Sequence, residues 1–168
     1  LIRHLKARYS SFLQETPQQY RLTIWREDPF FLAPWEQPSA VFHNGMIYFS
    51  ENLKFSYLDS TSGAGKLILK SLQPLVEVDY ALRVIYSYLA FRSGGLLLHA
   101  AGIVHDGAAF LFLGESGSGK TTVARLSAHD LVLNDDLVLL RPNGDKWQVF
   151  STPFWNPTQV RPSVAQAD

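Results

Sequence analysis

The nine residues GESGSGKTT, Gly114 to Thr122, restrict the fold of this chain more than any other stretch. Glycine in a helix or strand interior costs about 0.5–1 kcal/mol relative to alanine, so Gly114, Gly117 and Gly119 do not belong to an ordinary core element. The run ahead of them, AAFLFL, is continuously apolar, and the run behind, TTVARLSAH, has helix-forming character. A strand, a glycine loop and a helix are therefore expected in succession. Gly114, Gly119, Lys120 and Thr121 match G-x-x-x-x-G-K-[ST] in full. In such a loop the backbone from Gly114 through Glu115, Ser116, Gly117 and Ser118 to Gly119 turns its N–H groups around a polyphosphate. Thr121 and Thr122 open the helix, whose first N–H groups and positive end favour an anion. Lys120 can reach the outer phosphates, and the Thr121 hydroxyl can ligate Mg²⁺.

A triphosphate with Mg²⁺ also needs a carboxylate. Asp135 and Asp136 follow the apolar run LVLN, with enough chain after Lys120 for a short helix and a return strand. On extended backbone two adjacent side chains point to opposite sides, which suits a division of labour. One acid would hold the metal, and the other would take the proton of an attacking hydroxyl. Taken alone, NDD reads as two solvated turn acids; beside a complete loop it reads as functional. His99 closes LLLH and is balanced between a histidine satisfied within the sheet and a group beside the loop. His105, at a turn, reads as surface.

Composition narrows the partners. Fifteen basic and fifteen acidic residues cancel, so no broad footprint for nucleic acid or an anionic membrane is expected. Any phosphate site must be local. The absence of cysteine excludes disulfides and thiolate metal sites and fits a reducing, cytoplasmic compartment. No apolar stretch reaches membrane length, because His99, His105 and Asp106 interrupt the longest one.

Along the chain, residues 1–73 read as a β-rich region of strands and turns. YRLTIW has strand character, and Asn44-Gly45 between two apolar runs predicts a hairpin. LKFSYL and KLILK flank DSTSGAG as a second hairpin or a looser connection. Trp25, Phe30, Phe31 and Trp35 are expected in the core. SGAGK, Ser62 to Lys66, imitates the phosphate loop, but Ser60 stands where the first glycine belongs and Leu67 where the metal-binding hydroxyl belongs. It reads as a loop only. From Pro74 to Arg92, Leu82, Ile85, Tyr86 and Leu89 recur at helical steps, and Gly94-Gly95 stops the helix. Asp106-Gly107 then predicts a hairpin whose second strand enters the glycine loop, and LVLLR, PNGD and KWQVF predict another. The expected class is α/β with a mixed α+β sheet. A core over residues 74–155 succeeds the β-rich region, and a mobile tail over 156–168 ends a truncated chain.

The segment LLLHAAGIVHDGAAFLFLGESGSGKTT…LVLNDD resembles the catalytic core of HPr serine kinase/phosphorylase and its relatives, which is similar in fold to phosphoenolpyruvate carboxykinase. The resemblance covers about Leu96 to Phe154. It implies that Gly114 to Thr121 bind ATP, that Asp136 contributes to Mg²⁺ binding and that Asp135 is the base toward a serine of a protein or peptide. His99 would sit close to the transferred phosphate. The second half of that catalytic domain has no counterpart here, so a chain ending at Asp168 is expected to bind nucleotide and transfer phosphate poorly. The acceptor need not be HPr, and homo-oligomers are left open. A small-metabolite kinase is disfavoured because 113 residues, including an antiparallel hairpin, precede Gly114. A nucleotide-binding regulator without transfer activity is the non-enzymatic alternative. An ABC-type ATPase lacks support, since no LSGGQ-like stretch is present.

Overall fold

The computed structural model describes residues 1–13, 17–28, 32–155, 160, 162–163 and 166–167. It is a mixed α+β protein whose two sheets are mixed and antiparallel, as the sequence class predicts. The chain divides into two compact units, Leu1–Ala7 with Gln14–Tyr86, and Arg8–Leu13 with Ser87–Asp168. One boundary, between Tyr86 and Ser87, falls inside a helix, α2, Pro74–Arg92.

The first unit is built on five strands, β1 Arg21–Arg26, β2 Ala40–His43, β3 Met46–Phe49, β4 Tyr57–Asp59 and β5 Ala64–Leu69. Their spatial order is β1-β5-β4-β3-β2. Only the β1–β5 pair is parallel. Alternation along the strands sends Ile47, Phe49, Leu58, Leu67 and Leu69 to a buried face. The predicted β2–β3 hairpin turns through Asn44 at φ 46° and Gly45 at φ 79°, the pair of positive angles that an Asn-Gly turn supplies. In α2, Val78, Ala81 and Ile85 are buried at three- and four-residue steps. Glu77 in its first turn accepts N–H groups from Lys70 at 2.9 Å and Ser71 at 3.0 Å, tying the helix to the end of β5. Burial raises the pKa of this carboxyl above its ordinary range, opposed by those two hydrogen bonds.

Three expectations for residues 1–73 need correction. The first residues form a helix, α1 Ile2–Tyr9, where strands and turns were expected. Leu5, Lys6, Ala7 and Arg8 are good helix formers, and Ile2, Leu5 and Tyr9 fall at helical steps. Trp25 is 59% exposed, because its position on β1 points away from the buried face, and Trp35 is half-buried against Tyr80. Phe30 and Phe31 lie outside the described residues. The SGAGK stretch is a loop only at its start, since Ala64 to Lys66 already belong to β5.

The second unit carries β6 Leu96–His105, β7 Ala108–Leu113, α3 Lys120–Leu126, β8 Leu131–Asn134, β9 Leu137–Asn143, β10 Lys146–Phe150 and β11 Gln166–Ala167. All its strand pairs are antiparallel. β6 is central: β7 lies along one side, and β9 and β8 divide the other. The strand that feeds the glycine loop pairs antiparallel with β6, as the Asp106-Gly107 turn predicts. Ala100, Leu133, Val138 and Val149 form the core beneath. Of the segment expected to be a mobile tail, residues 156–159, 161, 164–165 and 168 lie outside the described residues. Val160 and Ser163 donate backbone hydrogen bonds to Asp135 and Val132, and Gln166–Ala167 pairs with β10.

Candidate functional site

β7 ends at Leu113, and the next six residues turn the chain before α3 begins at Lys120. Glycine is required at two of these positions by backbone angle, Gly117 at φ 83° and Gly119 at φ 95°. Gly114 is required by a close approach: a Cβ there would lie 2.5 Å from the Ser118 hydroxyl oxygen. At Gly117 and Gly119 an added Cβ would meet nothing within 4 Å, so the loop leaves open space there. The first N–H groups of α3 have no intrahelical acceptor and face the loop end. Lys120 is buried, and its Nζ donates to the carbonyls of Gly114 at 2.7 Å and Glu115 at 2.8 Å. The ammonium is thus fixed at the loop with one of its three protons undirected by those bonds.

Across the cavity, β8 and β9 run in the same direction along β6 and are joined by a two-residue bend, Asp135–Asp136. Asn134 holds that bend. It is fully buried, and its Oδ1 accepts N–H groups from Asp136 at 2.8 Å and Leu137 at 3.3 Å. Its Nδ2 donates to the carbonyls of Thr152 at 2.9 Å and Phe154 at 3.0 Å. The Thr152 hydroxyl in turn donates to Leu137 O at 2.6 Å. The two aspartates of the bend have different partners. Asp135 is fully buried; its Oδ2 accepts the Val160 N–H at 3.2 Å, and its Oδ1 has no partner among the described residues. The Asp136 carboxylate stands 3.5 Å from His99 Nε2. That proximity follows from register, because His99 pairs with Leu137 across β6 and β9.

A cavity of about 220 Å³ brings these groups together. Ser116, Gly117, Gly119, Lys120, Thr121 and Thr122 line one side, and His99 and Asp135 the other. Gly114, Glu115 and Ser118 shape the loop without lining the cavity, and Asp136 reaches it through His99. Thr121 gives the cavity a hydroxyl, and Asp135 gives it a carboxylate with one unpartnered oxygen. Among the described residues no group of three or more His, Cys, Asp or Glu side chains could hold a metal alone. His105 lies at the exposed β6–β7 turn, where a 2.7 Å hydrogen bond to Asp130 and the nearby Asp106 charge raise its pKa. Asn134 and Thr152 carry no sequence signal of their own. Within NDD the asparagine is the silent member, and only its burial shows that it fixes the other two.

Fold and cavity define a mixed α+β protein with a glycine loop at a helix start, facing a buried carboxylate. The chain belongs to the family of SynChlorMet cassette protein ScmC, whose model matches residues 69–163. No curated protein matches it. The family match corrects the resemblance to HPr serine kinase/phosphorylase, since the matching family is ScmC and not an HPr-kinase or other P-loop kinase family. The roles of His99, Asp135 and Asp136 that were implied by that resemblance lose its support. Among the described residues no helix is long and apolar enough to cross a membrane.

Proposed function

We propose that the loop binds the phosphate chain of ATP with Mg²⁺, and that the site transfers the terminal phosphoryl group to a hydroxyl, a serine of a protein or peptide. One observation carries this: a fully buried aspartate, Asp135, has an unpartnered oxygen and lines the same cavity as Lys120 and Thr121. An orphaned buried carboxylate oxygen costs about 1–3 kcal/mol or more, which a bound ligand can offset. The cavity is smaller than the roughly 300–1,000 Å³ of whole-ligand pockets, so it fits the phosphate end and leaves the rest of the nucleotide to open surface.

In this proposal Lys120 and the loop N–H groups neutralise the β- and γ-phosphates, and the Thr121 hydroxyl orients Mg²⁺. Bound Mg²⁺ would supply charge neutralisation of the phosphate oxygens. Asp135 accepts the proton as the acceptor oxygen bonds to the γ-phosphorus and the bond to the β–γ bridging oxygen breaks, leaving ADP. Asp136, held beside His99, is assigned to the metal side. Dependence on ATP and a chain without cysteine favour the cytoplasm as its compartment.

Calorimetry of Mg·ATP against the wild type and Lys120→Ala tests the binding half. The variant removes the cation facing the outer phosphates, so affinity should fall more than about tenfold. Unchanged affinity sinks the triphosphate site. Asp136→Asn should raise the Mg²⁺ concentration needed for half-maximal binding; if Asp135→Asn does so instead, the two carboxylates exchange roles. Nucleotide binding without transfer in the presence of an acceptor would make the protein a nucleotide-binding regulator.

A further inference from the structure

The outer face of the first unit's sheet is unusual in what it leaves open. One cross-strand row runs through all five strands: Val41 pairs with Tyr48, Tyr48 with Tyr57, Tyr57 with Lys66, and Lys66 with Thr23. Val41, Tyr48 and Tyr57 are 60%, 46% and 37% exposed, so this face is uncovered across its width. Trp25 lies one position outward on the same face, with Lys66 Nζ 5.8 Å from its ring centre. Phe55 is 68% exposed and sits between two ammonium groups, Lys70 Nζ at 5.2 Å and Lys54 Nζ at 5.5 Å. It also holds a φ of 70°, a left-handed backbone angle that costs a bulky residue on the order of 1–3 kcal/mol. An apolar ring kept in water at the cost of backbone strain is not there for the core.

The charge on this face is unbalanced. Lys54 and Lys66 have no carboxylate partner among the described residues, and Lys70 has only Glu27 at 3.8 Å. Asp59, at the end of β4, accepts from Thr61 N at 2.8 Å and Ser62 Oγ at 2.7 Å and keeps its negative charge, so three lysines stand against Glu27 and Asp59. We propose that this aromatic, lysine-bearing sheet face docks an acidic peptide segment carrying apolar side chains, which belongs to the phosphate acceptor. Assigning it to the acceptor rests on the proposed transfer function; the docking itself does not. Three lysines on a chain with equal numbers of acids and bases are too few for the phosphate-dominated binding of nucleic acid, and they suit a few carboxylates flanking apolar anchors.

The test is fluorescence anisotropy without nucleotide, using a labelled peptide of alternating glutamate and leucine, its lysine–leucine counterpart and an oligo-dT strand. The glutamate peptide should bind at about 1–100 μM, weaken as salt screens the lysines, and outcompete the other two probes. Lys66→Glu and Trp25→Ala, both at the surface, should each weaken it about tenfold or more with the melting temperature kept. Lys120→Ala should leave it unchanged, which separates failure of docking from failure of the nucleotide site. No binding of the glutamate peptide, binding indifferent to Lys66→Glu and Trp25→Ala, or preference for oligo-dT overturns the proposal. So does a dimer that Trp25→Ala returns to monomer, because a second copy would then be the occupant.

Discussion

Two pentapeptides of this chain differ at a single position, SGAGK at Ser62–Lys66 and SGSGK at Ser116–Lys120, and they are put to opposite uses. In the first, the glycines are packed. A Cβ on Gly63 would run into the Gln19 carbonyl oxygen, and one on Gly65 would come within 2.8 Å of the Tyr57 carbonyl oxygen. The chain then enters β5, so its N–H groups are consumed by the sheet, and Lys66 projects over Trp25. In the second, both glycines, Gly117 and Gly119, face open space, the chain enters a helix, and Lys120 folds back on the loop carbonyls. Glycine permits both outcomes. The element that the lysine leads into decides between them: a strand spends the backbone donors on a neighbour, whereas a helix start leaves them free.

The acids beside the two stretches should separate them most. Asp135→Asn keeps size and removes the base, so phosphate transfer should fall by about 10²–10⁴ while nucleotide affinity changes little. Asp59→Asn, at the exposed turn, should leave transfer unchanged. Radiolabelled transfer and calorimetry on both variants provide the check, and normal transfer by Asp135→Asn would remove the residue on which the proposed chemistry depends.

The lysines come next. Lys120→Ala should weaken Mg·ATP by more than about tenfold, and Lys66→Ala should not alter it. A nucleotide effect from Lys66→Ala would break the contrast. The glycines should then part stability from binding. Gly65→Ala forces a methyl against the Tyr57 carbonyl and the Leu22 side chain, and should cost about 1–3 kcal/mol in thermal or denaturant unfolding. The molecules that remain folded should bind nucleotide normally. Gly119→Ala places its methyl in the open cavity, so it should lower affinity, with a smaller stability loss of about 1–2 kcal/mol from its φ of 95°. Melting curves and titrations on the same samples test both.

The smallest effect concerns acid. The Ser62 hydroxyl, then the Thr61 N–H, holds the Asp59 pKa below 3.8. A depressed carboxylate contributes stability that is complete above its unfolded pKa and is lost as pH falls through the folded value. The Thr61 and Ser62 amide resonances should therefore shift only below about pH 4. Titration at higher pH would show that the turn does not depend on this carboxylate.

Local sequence was enough for elements whose cause is local. Asn44-Gly45 and Asp106-Gly107 marked their hairpins because two successive positive φ angles suit few other residues. Helical spacing and a glycine stop bounded α2, and the pattern of glycines and lysine identified the loop. It was not enough for α1, whose helix has no buried residue and so leaves only a faint apolar stripe. Nor did it tell that Trp25 is exposed, because a strand's alternation does not say which side another layer covers.

For the site, the loop, Asp135, Asp136 and His99 were legible as residues. The resemblance implied that they meet, but the 3.5 Å approach of His99 to Asp136 depends on the pairing of His99 with Leu137 across β6 and β9. Asn134 and Thr152 were invisible for the same reason: an asparagine is a bracket only once four backbone groups and a hydroxyl surround it. Sequence determined what could bend, pair and carry charge, since these depend on a residue and its nearest neighbours. Tertiary structure alone decided which carboxylate oxygen would be buried without a partner, because burial and hydrogen-bond satisfaction are set by chain segments far apart in sequence.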